Sequence, residues 1–204
     1  MNCTVLFLVV AAIVTVLDRW EKIPKFYARK LAHMLCGLII LLFDVSINGS
    51  RRSPQVNDAA NTGEGSHCVL FIYLIAATSI LRCFICPFRF GVYRDKGIII
   101  YNTVVSLFFF FKLPLYVLTP IFFADPMAAI VGRQFPAHSI YKKKTLHGTL
   151  ACFFVSLVSL YYVQNYLHML LLGLALSLLE LFGGAMDNLC MCFPIFIYMM
   201  FFNV

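Results

Sequence analysis

Leu113-Pro114-Leu115-Tyr116-Val117-Leu118-Thr119-Pro120-Ile121-Phe122-Phe123-Ala124-Asp125-Pro126-Met127-Ala128-Ala129-Ile130-Val131-Gly132 is an apolar run with a single carboxylate in it. A membrane-crossing helix takes roughly 20 apolar residues, and this stretch supplies that length. A charge inside such a run is expensive, so Asp125 reads first as functional. Ala128, Ala129 and Gly132 follow it at helical spacing and make a small-residue face on which another backbone can lie close. Arg133 comes next, and Lys142-Lys143-Lys144-Thr145-Leu146-His147-Gly148 lies a short loop away. The region 124–149 thus gathers a carboxylate, a Gly-Arg pair and a lysine run at the mouth of a span.

Working outward, 62% of the 204 residues are hydrophobic and 12% charged, with mean hydropathy +0.89, which argues against a soluble globular class. Further apolar runs at 3–17, 31–47, 68–86, 98–111, 150–163, 167–182 and 189–203 predict an all-α, multi-pass transmembrane bundle of seven or eight spans. The count turns on whether Lys112 and Pro114 split 98–132 into two helices or kink one. Residues 1–204 read as one integral-membrane domain. Within it, 1–30 is a signal-anchor span with a basic loop, because no side-chain positive charge precedes the first run and several follow it. The Gly-, Ser-, Asn- and Asp-rich stretch 48–67 reads as a polar non-cytosolic loop.

With eight passes, the loops 18–30, 87–97, 133–149 and 183–188 share a face. They carry most of the lysines and arginines behind the net charge of +7, and the positive-inside rule makes that face cytosolic. Such an asymmetry orients any multi-pass protein, so it says nothing of activity alone. Basic residues that flank spans also disfavour nucleic acid as a partner. The eight cysteines fall mostly within apolar runs and read as small buried hydrophobes; Cys83 and Cys86 have no second pair to complete a zinc site. There is no P-loop, nucleophile elbow or His-Glu-x-x-His pattern.

Asp125, beside its small-residue face, is a candidate Mg²⁺ ligand, since Mg²⁺ is held by one or two carboxylates plus substrate phosphates. Lys143, Lys144, Thr145 and Gly148 open the following span as a candidate phosphate site. Arg29 and Lys30 sit one turn before His33 on a shared helix face, where snorkelling explains the two cations but not the histidine. Lys96 adds another cation on the same side. Glu180 is an intramembrane carboxylate near a span end, while turn chemistry explains Asp187 and Asn188 unaided.

Taken in order, these pieces resemble the CTP-dependent lipid kinases, a family that includes phytol kinase, dolichol kinase and the CTP-type diacylglycerol kinase. Arg29, Lys30 and His33 match an Arg-Lys-x-x-His element. Asp125, Ala128, Gly132 and Arg133 match an Asp-x-x-Ala-x-x-x-Gly-Arg stretch; Lys144, Thr145, Gly148 and Thr149 match a Lys-Ser/Thr-x-x-Gly-Ser/Thr element. Glu180, Asp187 and Asn188 correspond to a late acidic residue and an Asp-Asn pair. Ala124 and Pro136 stand where the family has glycine. The resemblance implies phosphoryl transfer from CTP, with Mg²⁺, to the hydroxyl of a membrane lipid alcohol: phytol, a polyprenol, dolichol or diacylglycerol. Asp125 and Asp187 would hold the metal, and Arg133, Lys143, Lys144, Arg29 and Lys30 would clamp phosphate, with Lys96, Thr145, Gly148 and Asn188 in the nucleotide site. His33 or Asp187 would take the alcohol proton. The expected setting is the endoplasmic reticulum, with plastid or another organelle open. The alternatives are cytidylyl transfer to phosphatidic acid, or a transporter or scaffold without nucleotide chemistry.

Overall fold

The structure, a computed structural model, describes residues 3–51, 64–136, 139–141 and 144–202. It is all-α. Among the described residues eight α-helices follow in order: α1 Cys3–Arg19, α2 Lys25–Arg51, α3 Glu64–Ile85, α4 Lys96–Phe110, α5 Thr119–Gln134, α6 Leu146–Ser159, α7 Tyr166–Gly183 and α8 Asp187–Phe202. Each falls on one of the apolar runs. The stretch 98–132 is split: Phe111 ends α4, Lys112 takes a positive φ of 55°, and a 3-10 turn at Leu115–Leu118 leads into α5. Pro114 stops the first helix from continuing.

Two expectations need correction at their edges. The loop placed at 48–67 begins later and ends sooner, since α2 runs to Arg51 and α3 starts at Glu64. The loop 133–149 contains an antiparallel hairpin of β1, Ser139–Tyr141, and β2, Lys144–Thr145, before α6 begins at Leu146. Pairs of strands that short leave almost no alternation to read. Two segments, Leu115–Gln134 and Tyr166–Gly183, are long and apolar enough to cross a membrane; four shorter apolar helices accompany them among the described residues.

Side-chain caps define several starts. Asp95 accepts from the backbone N–H of Gly97 and Ile98 at the head of α4, Thr145 from Gly148 at the head of α6, and Asn165 from Leu167 and His168 at the head of α7. Each satisfies donors that a helix N-terminus leaves open. At the other end of α1, the guanidinium of Arg89 donates to the carbonyls of Leu17, Asp18, Trp20 and Ile23, while Asp18 pairs with Arg82 at 2.9 Å. These contacts gather the polar ends of α1, α2 and α3 at one end of the bundle.

α5 is the central helix. It packs on α2, α6 and α8, and Phe122, Ile121, Ala124 and Pro120 are buried in it. Gly37 decides how near α2 comes: a Cβ there would lie 2.6 Å from the Cβ of Phe122. Any larger residue would push the two helices apart. That close crossing sets the polar residues of α2 against Asp125.

Candidate active site

Asp125 is 2% exposed. Lys30 Nζ reaches from α2 to donate to its Oδ2 at 2.9 Å, and His33 Nδ1 lies 4.0 Å from the same oxygen. His33 Nε2 is 3.1 Å from the carbonyl oxygen of Ile121. A carbonyl only accepts, so Nε2 carries the hydrogen and Nδ1 presents its lone pair toward the carboxylate side. Tyr101 of α4 packs on the imidazole, ring centroids 4.3 Å apart, and its hydroxyl donates to the His33 carbonyl. The histidine is therefore fixed in tautomer and orientation.

Glu180 of α7 and Asp187 at the head of α8 complete the cluster. One oxygen each from Asp125, Glu180 and Asp187 lies within 4.8 Å of the others. Lys144, delivered by β2, donates to Glu180 Oε1 and sits 3.5 Å from Asp187 Oδ2. Yet Asp125 Oδ1, Glu180 Oε2 and Asn188 Oδ1 are buried and accept no hydrogen bond from the described residues. A buried acceptor without a donor costs about 1–3 kcal/mol, more when charged. Hard carboxylate oxygens left open in this way fit Mg²⁺, which prefers oxygen donors. Glu180 enters here as a candidate ligand; from sequence it stands out as a carboxylate within an apolar run, matched to the late acidic residue of the resemblance, without a metal role.

Asp187 lies in the connection ahead of the last apolar run. Burial, followed by the charge of Asp125, pushes its carboxyl up to about 6. For Lys144, burial opposes the charge, but Glu180 and Asp187 outweigh it and hold the ammonium above its ordinary value.

Two cavities meet at this cluster. The smaller, about 410 Å³, is lined by Ala128, Gly132, Gly148, Arg133, Lys144 and Thr145, with Glu180 at its inner wall. Its floor exists because α5 and α6 cross almost backbone to backbone: a Cβ on Gly148 would lie 2.8 Å from the carbonyl oxygen of Ala128. Arg133 stacks its guanidinium on Phe26, 4.5 Å from the ring centre. The larger cavity, about 490 Å³, has Arg29, Lys30, His33, Asp95, Lys96, Asp125, Asp187 and Asn188 at its polar end.

The predicted residues divide accordingly. Asp125, His33, Lys30, Lys144, Asp187 and Asn188 converge on one point. Arg133, Thr145 and Gly148 line the neighbouring cavity, where Thr145 is also the α6 cap and Gly148 a packing contact. Arg29 pairs with Asp95 at 2.7 Å, and Lys96 is exposed beside them. Lys143 lies outside the described residues. Asp95, holding both a helix cap and Arg29, was legible only as part of a polar turn. Compared with known proteins, the chain matches no protein-family model, no curated protein and no solved structure.

Proposed function

We propose that this chain is a multi-pass membrane phosphotransferase of the endoplasmic reticulum. It would move the terminal phosphoryl group of a nucleoside triphosphate, CTP by resemblance, to the hydroxyl of a lipid alcohol. The observation that carries the reading is the carboxylate cluster itself: Asp125, Glu180 and Asp187, with two buried oxygens that accept no hydrogen bond from the described residues, set between two cavities. One cavity has small residues and cations, as a triphosphate needs; the other joins a polar end to an apolar one.

Asp125, Glu180 and Asp187 would hold Mg²⁺. A cation held there would supply charge neutralisation during phosphoryl transfer. Arg133 and Lys144 would anchor the phosphates from the smaller cavity, with Arg133 held against Phe26 and Lys144 paired with Glu180. Lys30 holds Asp125 in place through their 2.9 Å hydrogen bond. His33 Nδ1 accepts the proton of the alcohol as its oxygen bonds to the terminal phosphorus and the bond to the bridging oxygen of the leaving diphosphate breaks. Phosphoryl transfer rests mainly on positioning and charge, and these residues supply both.

The test is purified protein with γ-labelled CTP, Mg²⁺ and a panel of lipid alcohols. A phosphorylated lipid is expected, at least a hundredfold reduced in Asp125→Asn. Wild-type product formation that survives Asp125→Asn and Lys144→Ala would sink the assignment, and a CDP-lipid product would replace it with cytidylyl transfer.

A further inference from the structure

We propose that Asp95 and Gly97, at the head of α4, are positioning residues: they hold Arg29 as the cation that receives a phosphomonoester on the larger-cavity side of the carboxylate cluster. The inference rests on the phosphotransfer reading and assigns Arg29 to the product rather than to the triphosphate. The two cavities divide the cations. Arg133 and Lys144 line the smaller one with Glu180, while Arg29 and Lys30 line the larger one with His33, Asp125 and Asp187. Lys30 is engaged by Asp125 at 2.9 Å, and Arg94 and Lys96 are exposed. A phosphoryl group passing from the smaller cavity to the larger brings its negative charge to Arg29.

Arg29 is held from two directions. Asp95 is 2% exposed; its Oδ1 accepts from Arg29 Nη2 at 2.7 Å and from the backbone N–H groups of Gly97 and Ile98, and its Oδ2 accepts from Val92 N–H. The backbone thus fixes the carboxylate that fixes the guanidinium. Gly97 supplies the room, since a Cβ there would lie 2.5 Å from Arg29 Nη2. Asp95 engages one nitrogen of a group with five N–H donors, so the planar fork can still take phosphate oxygens. On α2, Arg29 stands four residues before His33, about 6 Å along the axis and on the same face. That is one turn from the residue that takes the alcohol proton.

Helix capping alone does not account for the arrangement. A cap needs only the side-chain oxygen of Asp95, and the Arg29 side chain keeps 38% of its surface exposed. An ion pair that open adds little to stability. What the pairing does is restrict a long side chain to one direction, so less ordering is left to be done when an anion binds.

The experiment uses full-length protein in detergent micelles, with affinities read by calorimetry. The probes are hexadecyl phosphate and dioleoyl phosphatidate, which share a phosphomonoester headgroup and differ in tail, and CTP with Ca²⁺ for the donor side. Asp95→Asn keeps a capping oxygen. Gly97→Ala sets a methyl against the guanidinium at a helix position that favours alanine. Each variant should weaken whichever phosphomonoester binds the unaltered protein at least fivefold and CTP less than twofold, with the thermal midpoint unchanged. In an Arg29→Ala background, Asp95→Asn should cause no further loss. Where Asp95→Asn does not fold, Gly97→Ala carries the test. Unchanged phosphomonoester affinity in the variants, loss of CTP affinity instead, additive losses, or no binding of either phosphomonoester to unaltered protein overturns the proposal. The expected affinities with no phosphorylated lipid from labelled CTP uphold the Arg29 site and refute the phosphotransfer reading. A phosphorylated lipid with unchanged phosphomonoester affinity refutes this proposal alone.

Discussion

Lys30 on α2 and Asp125 on α5, 95 residues apart in the chain, are joined by a 2.9 Å charge-assisted hydrogen bond, and the carboxylate is almost wholly buried. Neither charge is stable there alone. Removing one partner of a buried pair costs about 3–5 kcal/mol, whereas replacing both with apolar residues of similar volume is often neutral. Lys30→Met should therefore lower the thermal midpoint in detergent more than Lys30→Met/Asp125→Leu does, with the double variant inactive. A double variant less stable than both single ones would mean the pair is not coupled as described.

Glu180 is the residue to test for metal. Glu180→Gln keeps the volume and removes the charge from a position whose Oε2 accepts no hydrogen bond from the described residues. Mn²⁺ binding, read by electron paramagnetic resonance, should weaken at least tenfold in this variant. Unchanged affinity would leave Asp125 and Asp187 as the only carboxylate ligands.

Asp187 predicts opposite pH slopes for two measurements. Its carboxyl is raised from 3.8 to about 6, first by burial and then by Asp125. The folded chain thus holds this proton more tightly than the unfolded one, so the stabilising contribution is full below about 4 and is lost as pH rises through about 6. Cation binding requires the ionised form and should weaken as pH falls through the same window. Titrating Mn²⁺ affinity and thermal midpoint between pH 5 and pH 7 checks both signs. In Asp187→Asn both slopes should flatten.

Gly148→Ala tests the α5–α6 crossing. The added methyl meets a backbone carbonyl at 2.8 Å and Gly132 Cα at 3.3 Å, neither of which is a flexible side-chain end. Overpacking of this kind costs about 1–3 kcal/mol. Because α6 begins just after Thr145, next to Lys144, the crossing also positions the lysine. The variant should lose both thermal stability and nucleotide affinity, the latter severalfold; loss of stability alone would separate Gly148 from the phosphate site.

The helical order was readable from the sequence, because apolar runs and their breakers are local properties of the chain. Asp125 announced itself in the same way, as a charge where charge is costly. So did the small face of Ala128 and Gly132, and the Arg29, Lys30 and His33 spacing. Tertiary structure alone decided that Lys112 and Pro114 divide two helices, since a kink and a break have the same local composition. It also decided that Glu180 joins Asp125 and Asp187, that Lys144 bridges two of the three, and that Arg29 belongs to Asp95. The ion pairs of Lys144 and Arg29 join residues 36 to 66 positions apart. They depend on how closely α2, α5, α6 and α7 approach, and contacts at Gly37, Gly132 and Gly148 set that approach.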